Sequence, residues 1–189
     1  MKVSVAPRGG ALSSQNRSTG DARLTGVSPG YARHCLTGTT MHIRQMVAPD
    51  LNRGFIKALC ALSEVDLTFE EAVPVFQRRL NSGLHTYVAE KDGEIVGTAS
   101  VFIEPKFIHR GGMVGHIEDV AVDPTRHGQG IGTALVQHLV EHCRELGCYK
   151  ILLQCTPELM PYYEREGFRQ WVCNMRMDLV PSPVAAAAE

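Results

Sequence analysis

A chain of 189 residues can build one domain with a substantial core but is too short for two ordinary domains. A formal charge of -1 and the absence of any Lys/Arg run argue against a polyanion such as DNA as partner and favour a small molecule. No apolar run approaches the ~20 residues that a membrane-spanning helix needs.

Residues 1–40 hold five basic residues and one acid, Asp21, among many Gly, Ser and Thr and without periodicity, so a disordered extension is expected. An Arg- and Ser-rich, acid-poor segment also fits an organelle transit signal, but no amphipathic stripe accompanies it. The domain is expected to span residues 41–180. Alternation over 41–46 predicts a first strand, and Pro49-Asp50 opens a helix with Leu51, Phe55, Leu59 and Leu62 on one face. Thr68 and Glu71 form a capping box for a second helix, whose apolar side carries Val73, Phe76 and Leu80. Two strands follow, 84–90 and 94–103, joined through Lys91-Asp92-Gly93, where Asp-Gly is a strong hairpin signal.

The stretch 116–168 organises the rest. A strand pattern, Gly115-His116-Ile117-Glu118-Asp119-Val120-Ala121-Val122, ends at Asp123-Pro124. A long helix follows the turn Arg126-His127-Gly128-Gln129-Gly130-Ile131-Gly132-Thr133. Its apolar face carries Ile131, Leu135, Leu139, Cys143 and Leu146, and Gly147 stands where the C-terminal cap falls. The first N–H groups of a helix lack intrahelical partners and carry roughly half a positive charge, so this turn is suited to a phosphate. The apolar run 149–155 is expected to pair in parallel with the 115–122 strand. Thr156-Pro157 starts a short helix ending at Gly167, with its first turn distorted by Pro161. Residues 168–179 are expected to form the last strands, and 181–189 a disordered tail.

Cys35, Cys60, Cys143, Cys148, Cys155 and Cys173 form no CxxC pair and follow neither a zinc nor a disulfide pattern. They are expected to be reduced core residues of an intracellular protein, cytoplasmic or organellar rather than secreted. His138-Leu139-Val140-Glu141-His142 matches the H-x-x-E-H signature of inverted zinc peptidases. Because His138 and Glu141 fall on the polar side of a helix whose apolar face is already assigned, no metal site is expected. A Rossmann dinucleotide site is disfavoured because no second βα unit with an acidic residue follows. Glu118 and Asp119, adjacent in a strand, should point to opposite faces.

Strand, glycine turn, helix, strand and then Tyr163 before Gly167-Phe168 resemble the GNAT superfamily of acetyl-CoA-dependent N-acetyltransferases. Gly-His-Ile-Glu-Asp-Val-Ala-Val at 115–122 and Gly-Cys-Tyr-Lys-Ile-Leu-Leu at 147–153 resemble, more narrowly, the glucosamine-6-phosphate N-acetyltransferase family, over residues 41–178. The resemblance implies an α/β (α+β) fold, with a mixed, mainly antiparallel sheet, a splayed parallel strand pair and flanking helices. It also implies acetyl-CoA as co-substrate with no metal, and a homodimer whose sites draw residues from both chains. Acetyl-CoA would lie against Val120, Ala121 and Val122, the turn His127-Gly128-Gln129-Gly130-Ile131-Gly132-Thr133, and Tyr163.

Tyr163 is the expected donor to the departing thiolate, since a phenol in hydrogen-bond reach can protonate it as the thioester breaks. Glu118 and Gln154 complete the expected catalytic set. The family has an acid at the position of Gln154, and an amide can orient a partner but cannot act as a base, leaving deprotonation to Glu118 or water. Likewise, His127 stands where the family usually has Arg or Gln. The resemblance assigns the acceptor sugar to Glu118, Asp119 and Val120, and its phosphate to Lys106-Phe107-Ile108-His109, Tyr149-Lys150 and Ser63. A family arginine falls on Asp178, with Arg176 as its replacement. Two readings remain beside this one: a GNAT enzyme acting on another amine, and a non-catalytic acyl-CoA-binding module.

Overall fold

The computed structural model describes residues 40–177 and 179, and shows a five-stranded sheet flanked by helices. The expectations for residues 1–40 (apart from Thr40), for 181–189, for Cys35 and for Asp178 lie outside the described residues. Strands β1 (His42–Gln45), β2 (Leu84–Lys91), β3 (Glu94–Pro105), β4 (Met113–Val122) and β5 (Cys148–Leu153) lie side by side in that order. The first three pairings are antiparallel and β4–β5 is parallel, as the patterns predicted.

Helix α3 (Ile131–Glu145) crosses from β4 to β5 and buries Ile131, Leu135, Val136, Leu139 and Cys143. All of these but Val136 pack with Ala89, Val101 and Ile117 in one core cluster. Complete burial of a Leu contributes about 1.5–3 kcal/mol, so this face anchors the crossover and sets the position of the helix's first turn. A second cluster joins Val88 and Ile95 to Leu51, Phe55, Ala72 and Phe76 of the preceding helical segments.

The helix expected from Pro49 is broken in two. A 3₁₀ turn, Ala48–Asn52, precedes α1 (Phe55–Leu59), with Gly54 between them at φ +106°. A Cβ at Gly54 would stand 2.4 Å from the Ile95 carbonyl oxygen, so only glycine permits this approach to β3. Buried Asp50 staples the 3₁₀ turn to β1, accepting both Arg44 Nη atoms at 2.7 Å and the Val47 N–H at 2.9 Å. Burial pushes its carboxyl up, but those bonds and the nearby guanidinium charges outweigh that and hold it below its usual value. Leu62, expected on the apolar face, is exposed because the chain leaves helix after Leu59.

Helix α2 (Phe69–Leu80) has the expected capping box: Thr68 Oγ1 accepts the Glu71 N–H, and Glu71 Oε2 accepts the Thr68 N–H at 2.9 Å. Ala72 and Phe76 face the core, whereas Leu80 is exposed at the last turn. A 3₁₀ turn, Pro157–Leu159, leads into the short α4 (Met160–Arg165), in keeping with the distortion expected from Pro161.

Three other expectations need correction. Among the described residues from 168 onward there is no strand, and Trp171, Val172, Met175, Met177 and Leu179 are exposed. A strand pattern yields a strand only where another edge pairs with it. Of the described cysteines only Cys143 is buried, while Cys60, Cys155 and Cys173 are exposed free thiols. His138 does not lie on a polar face: it is half-buried, 4.5 Å from the Tyr87 ring, because β2 passes beneath that side of α3. Among the described residues, no helix is long and apolar enough to cross a membrane.

Candidate active site

The parallel pair supplies the opening. Pairing runs from Met113↔Cys148 to Ile117↔Leu153 and stops there, although β4 continues to Val122. From Glu118 onward the β5 side of β4 has no strand partner among the described residues. The Asp123 N–H donates to the Val96 carbonyl at 3.0 Å on the β3 side, so by strand alternation the Val122 N–H faces the gap.

A β-bulge marks the parting. Register runs Thr98↔Ala121 and then Ser100↔Glu118, so β4 carries one residue more than β3. Asp119 sits in the bulge at φ +52°, left-handed backbone that non-glycine residues seldom adopt. The bulge also corrects the expectation for the two carboxylates. Glu118, paired with Ser100, shares its face, and Asp119 Oδ2 reaches Arg79 of α2 at 3.1 Å on that same side. Regular alternation, which the expectation assumed, does not survive a bulge. Glu118 is exposed.

The glycine turn meets the gap at the start of α3. Gly130 is the N-cap at φ +74° with no side-chain cap, leaving the first N–H groups of α3 open to a ligand. No atom lies within 4 Å of where a Cβ on Gly130 would stand. Gly130→Val would place a branched side chain at a positive φ and over the open N–H groups. It is expected to weaken acetyl-CoA binding at least tenfold in calorimetry and to cost about 1–3 kcal/mol of stability from backbone strain. An unchanged cofactor affinity would remove this turn from the site. His127 turns back rather than outward: its Nε2 lies 3.1 Å from the Val122 carbonyl oxygen. Gln129 accepts from Lys91 Nζ at 3.2 Å.

Helix α4 packs over the same first turns. The Tyr162 hydroxyl lies 3.2 Å from the Cβ position of Gly132, and Glu166 accepts from Thr133 Oγ1 at 3.0 Å and from Gln137 Nε2 at 3.1 Å. Tyr162 is the packing residue: its hydroxyl is sealed from solvent with no partner of hydrogen-bond geometry, although Thr133 lies beside it. Burial raises the Tyr162 phenol, and the proximity of Thr133, whose own proton goes to Glu166, only partly opposes this. Tyr163 is buried between Tyr162 (ring centroids 4.9 Å) and Phe168 (5.9 Å). Burial above all, then Tyr162 and Cys155, push its phenol up to about 12. Its hydroxyl makes no hydrogen bond to any described residue, so it is a free donor. Gln154 is exposed just beyond the end of β5.

Most of the residues assigned to the sugar phosphate lie in the loop between β3 and β4 and at the start of β5. In the β3–β4 loop His109 stacks on Tyr149 at 4.3 Å, and Lys150 Nζ stands 5.7 Å over the same ring. Lys106 closes the same loop through its N–H, which donates to the Gly112 carbonyl at 2.9 Å, while its side chain pairs with Glu104, which also meets His116 Nε2 at 2.9 Å. Those two partners, Lys106 first, hold the Glu104 carboxyl below its usual value. Phe107 and Ile108 are exposed at the loop tip, and Ser63 is exposed after α1. Arg176 is exposed, but without the strand that was to place it on a face.

Two clusters went unread in the sequence. Arg79 continues the apolar stripe of α2 from Ala72 and Phe76 at i, i+4, i+7, and a charge on such a stripe was the available signal. His85, Tyr87, His138 and His142 form the other: Tyr87 Oη lies 3.3 Å from His142 Nδ1, and His85 stacks on His142 at 5.0 Å. Desolvation, mainly, lowers both His138 and His142. Glu141 pairs with Arg144, and no three His, Cys, Asp or Glu side chains among the described residues are placed so that they could hold a metal ion.

Residues 50–168 match the model of the Acetyltransferase (GNAT) family. The chain belongs to that family. This GNAT chain is 41% identical over 139 residues to the probable glucosamine 6-phosphate N-acetyltransferase 2 of Oryza sativa subsp. japonica, covering 70% of the chain and 84% of that protein. It is 39% identical over 142 residues to the glucosamine 6-phosphate N-acetyltransferase of Trypanosoma brucei brucei, covering 74% and 96%. The crystal structure of glucosamine-6-phosphate N-acetyltransferase from Arabidopsis thaliana superposes with a TM-score of 0.70 at 35% identity, over 75% of this chain and 99% of that one. The mixed sheet with its splayed parallel pair is thus the GNAT fold, and the chain is an acetyltransferase.

Proposed function

We propose that this enzyme transfers acetyl from acetyl-CoA to the amine of D-glucosamine 6-phosphate, giving N-acetylglucosamine 6-phosphate and CoA. The observation that carries the acceptor is the likeness to several glucosamine 6-phosphate N-acetyltransferases, 37–41% identical and each matched over at least 82% of its length. The splay of β4 from β5 beside the open N-terminus of α3 supports the cofactor. No metal ion takes part in this scheme.

In this reading the N–H groups of the turn from Gly128 to Thr133 hold the pyrophosphate, and the thioester lies along β4. Backbone N–H groups of 120–122 on the gap side of β4, Val122 among them, face the carbonyl oxygen and stabilise the charge that develops as the amine adds. Glu118 or water takes the amine proton, since Gln154 cannot. Tyr163 donates its proton to the sulfur as the C–S bond breaks, so CoA leaves as the thiol and the new amide remains on the sugar. Asp119 and Glu118 contact the sugar, while Lys150, His109 and Tyr149 hold the phosphate.

A homodimer belongs to the same proposal. Lys150 pairs with Val114 whereas the splay begins after Ile117, three residues or ~10 Å further along the strand. A second chain presenting its own Lys150 cluster would relieve that separation. Exposed Trp171, Val172 and Met175, together with a β5 edge that has no strand partner among the described residues, support a second copy as the missing neighbour.

Thiol release from acetyl-CoA on adding glucosamine 6-phosphate is the test, run on protein whose mass is measured by light scattering. Release with this sugar but not with polyamines or aminoglycosides, at the mass of two chains, is expected. Release with another amine alone would reassign the acceptor, and no release with any would leave an acyl-CoA-binding module. A single-chain mass would remove the dimer.

A further inference from the structure

The polar cluster around Arg79 sits where an apolar core would be expected. On β2 and β3, Thr86 and Ser100 are cross-strand partners on the face covered by α2, and both are buried. Their hydroxyls lie 3.1 Å apart. Arg79 Nη2 reaches both, Ser100 Oγ at 2.8 Å and Thr86 Oγ1 at 3.3 Å, and extends to Asp119 Oδ2 at 3.1 Å. An Nη carries two protons, so three acceptors share them and fix the guanidinium in one orientation. Its Nε is shut off from solvent without a partner. A surface ion pair needs none of this: two buried hydroxyls and an unpaired Nε are a cost that a merely solvated arginine avoids.

What this arrangement holds is the bulge. Asp119 keeps a left-handed backbone that persists only where surrounding contacts enforce it, and such positions gather at functional sites. Arg79 engages Oδ2 only, leaving Oδ1 without a partner among the described residues on a side chain 43% exposed. One carboxylate oxygen is therefore anchored to the core and the other is presented outward, beside the parting of β4 from β5.

We propose that Arg79 is a positioning residue of the acceptor site: through Oδ2 it sets the bulge carboxylate so that Oδ1 accepts a hydrogen bond from a hydroxyl or the amine of the acceptor. The inference rests on the reading that Asp119 contacts the acceptor. Glutamine or methionine at position 79 would fill the space but could not hold a carboxylate by charge. Lysine keeps one charged donor but loses the rigid planar guanidinium that sets Nη2 between Ser100 and Asp119.

Steady-state kinetics on Arg79→Met, Arg79→Lys and Ser100→Ala test it, with acetyl-CoA affinity measured separately by calorimetry. Arg79→Met is expected to raise the KM for glucosamine 6-phosphate at least tenfold, the lower range for a lost charge-assisted contact, with acetyl-CoA affinity unchanged within twofold. Arg79→Lys should recover part of that loss. Ser100→Ala, which keeps the charge and frees the guanidinium to drift, should raise the same KM by a smaller factor, and it serves if Arg79→Met does not fold. In an Asp119→Ala background Arg79→Met should add little, because its only route to the acceptor is already cut. An equal penalty in both backgrounds, or an unchanged acceptor KM in folded Arg79→Met or Ser100→Ala protein, would overturn the proposal while leaving the acceptor assignment intact. A parent enzyme inactive with glucosamine 6-phosphate would overturn both.

Discussion

Tyr163→Phe is expected to lower kcat about 10²-fold, the lower range for a positioned general acid, and to leave acetyl-CoA affinity and thermal midpoint nearly unchanged. The packing argument comes first. Phenylalanine keeps the ring contacts with Tyr162 and Phe168, and the lost hydroxyl has no hydrogen-bond partner among the described residues, so no buried group is left unpaired. The loss should therefore appear in the bond-breaking step. Because burial raises the phenol to about 12, it keeps its proton throughout the neutral range. The sign follows: as pH rises from 7, no loss of kcat through ionisation of Tyr163 is expected until well above the ordinary phenol value near 10. A kcat for Tyr163→Phe within a factor of two of the parent would move the role elsewhere.

The second large effect concerns the phosphate. A sugar phosphate near neutral pH is largely dianionic, and a chain with a formal charge of -1 offers no attracting field, so local cations must provide recognition. Lys150 is the clearer candidate. It is exposed and braced over the Tyr149 ring, whereas Lys106 is already paired with Glu104 and would have to exchange that partner. A charge-assisted contact contributes on the order of 1.5–3 kcal/mol, about 10- to 150-fold. Lys150→Ala should lower kcat/KM for glucosamine 6-phosphate by that factor without changing acetyl-CoA affinity. Unphosphorylated glucosamine is the control: a poor acceptor for the parent, it should be hardly poorer for the variant. Equal acetylation of both sugars by the parent, or equal loss on both, would end the phosphosugar assignment and leave a GNAT enzyme with another acceptor.

Much of this fold was legible because its signals are local. The Thr68–Glu71 capping box, the hairpin at Asp92-Gly93, the α3 stripe and its glycine turn each depend on residues within a turn or two of one another. The roles expected of Tyr163 and Lys150 rest on resemblance to a family rather than on spacing. Less local features were missed. Gly54 breaks a helix that periodicity would continue, because Ile95 of β3 approaches its Cα. The strands expected after Phe168 had a strand-like composition, but among the described residues that stretch pairs with no strand.

The sequence by itself determined the parallel pair, the long α3 stripe and the glycine turn that opens it, since hydrophobic period and turn chemistry are properties of short segments. Tertiary structure alone decided the site's shape. Whether β4 alternates regularly or bulges at Asp119 depends on its register against β3, and where it parts from β5 depends on pairing across the α3 crossover. Neither is written in any single stretch. The same holds for Arg79, an ordinary last-turn basic residue until α2 docks and brings it over Ser100 and Asp119, 21 and 40 positions away in the chain. Side chains that far apart meet only when packing closes the chain between them, so their partnership is a property of the folded molecule.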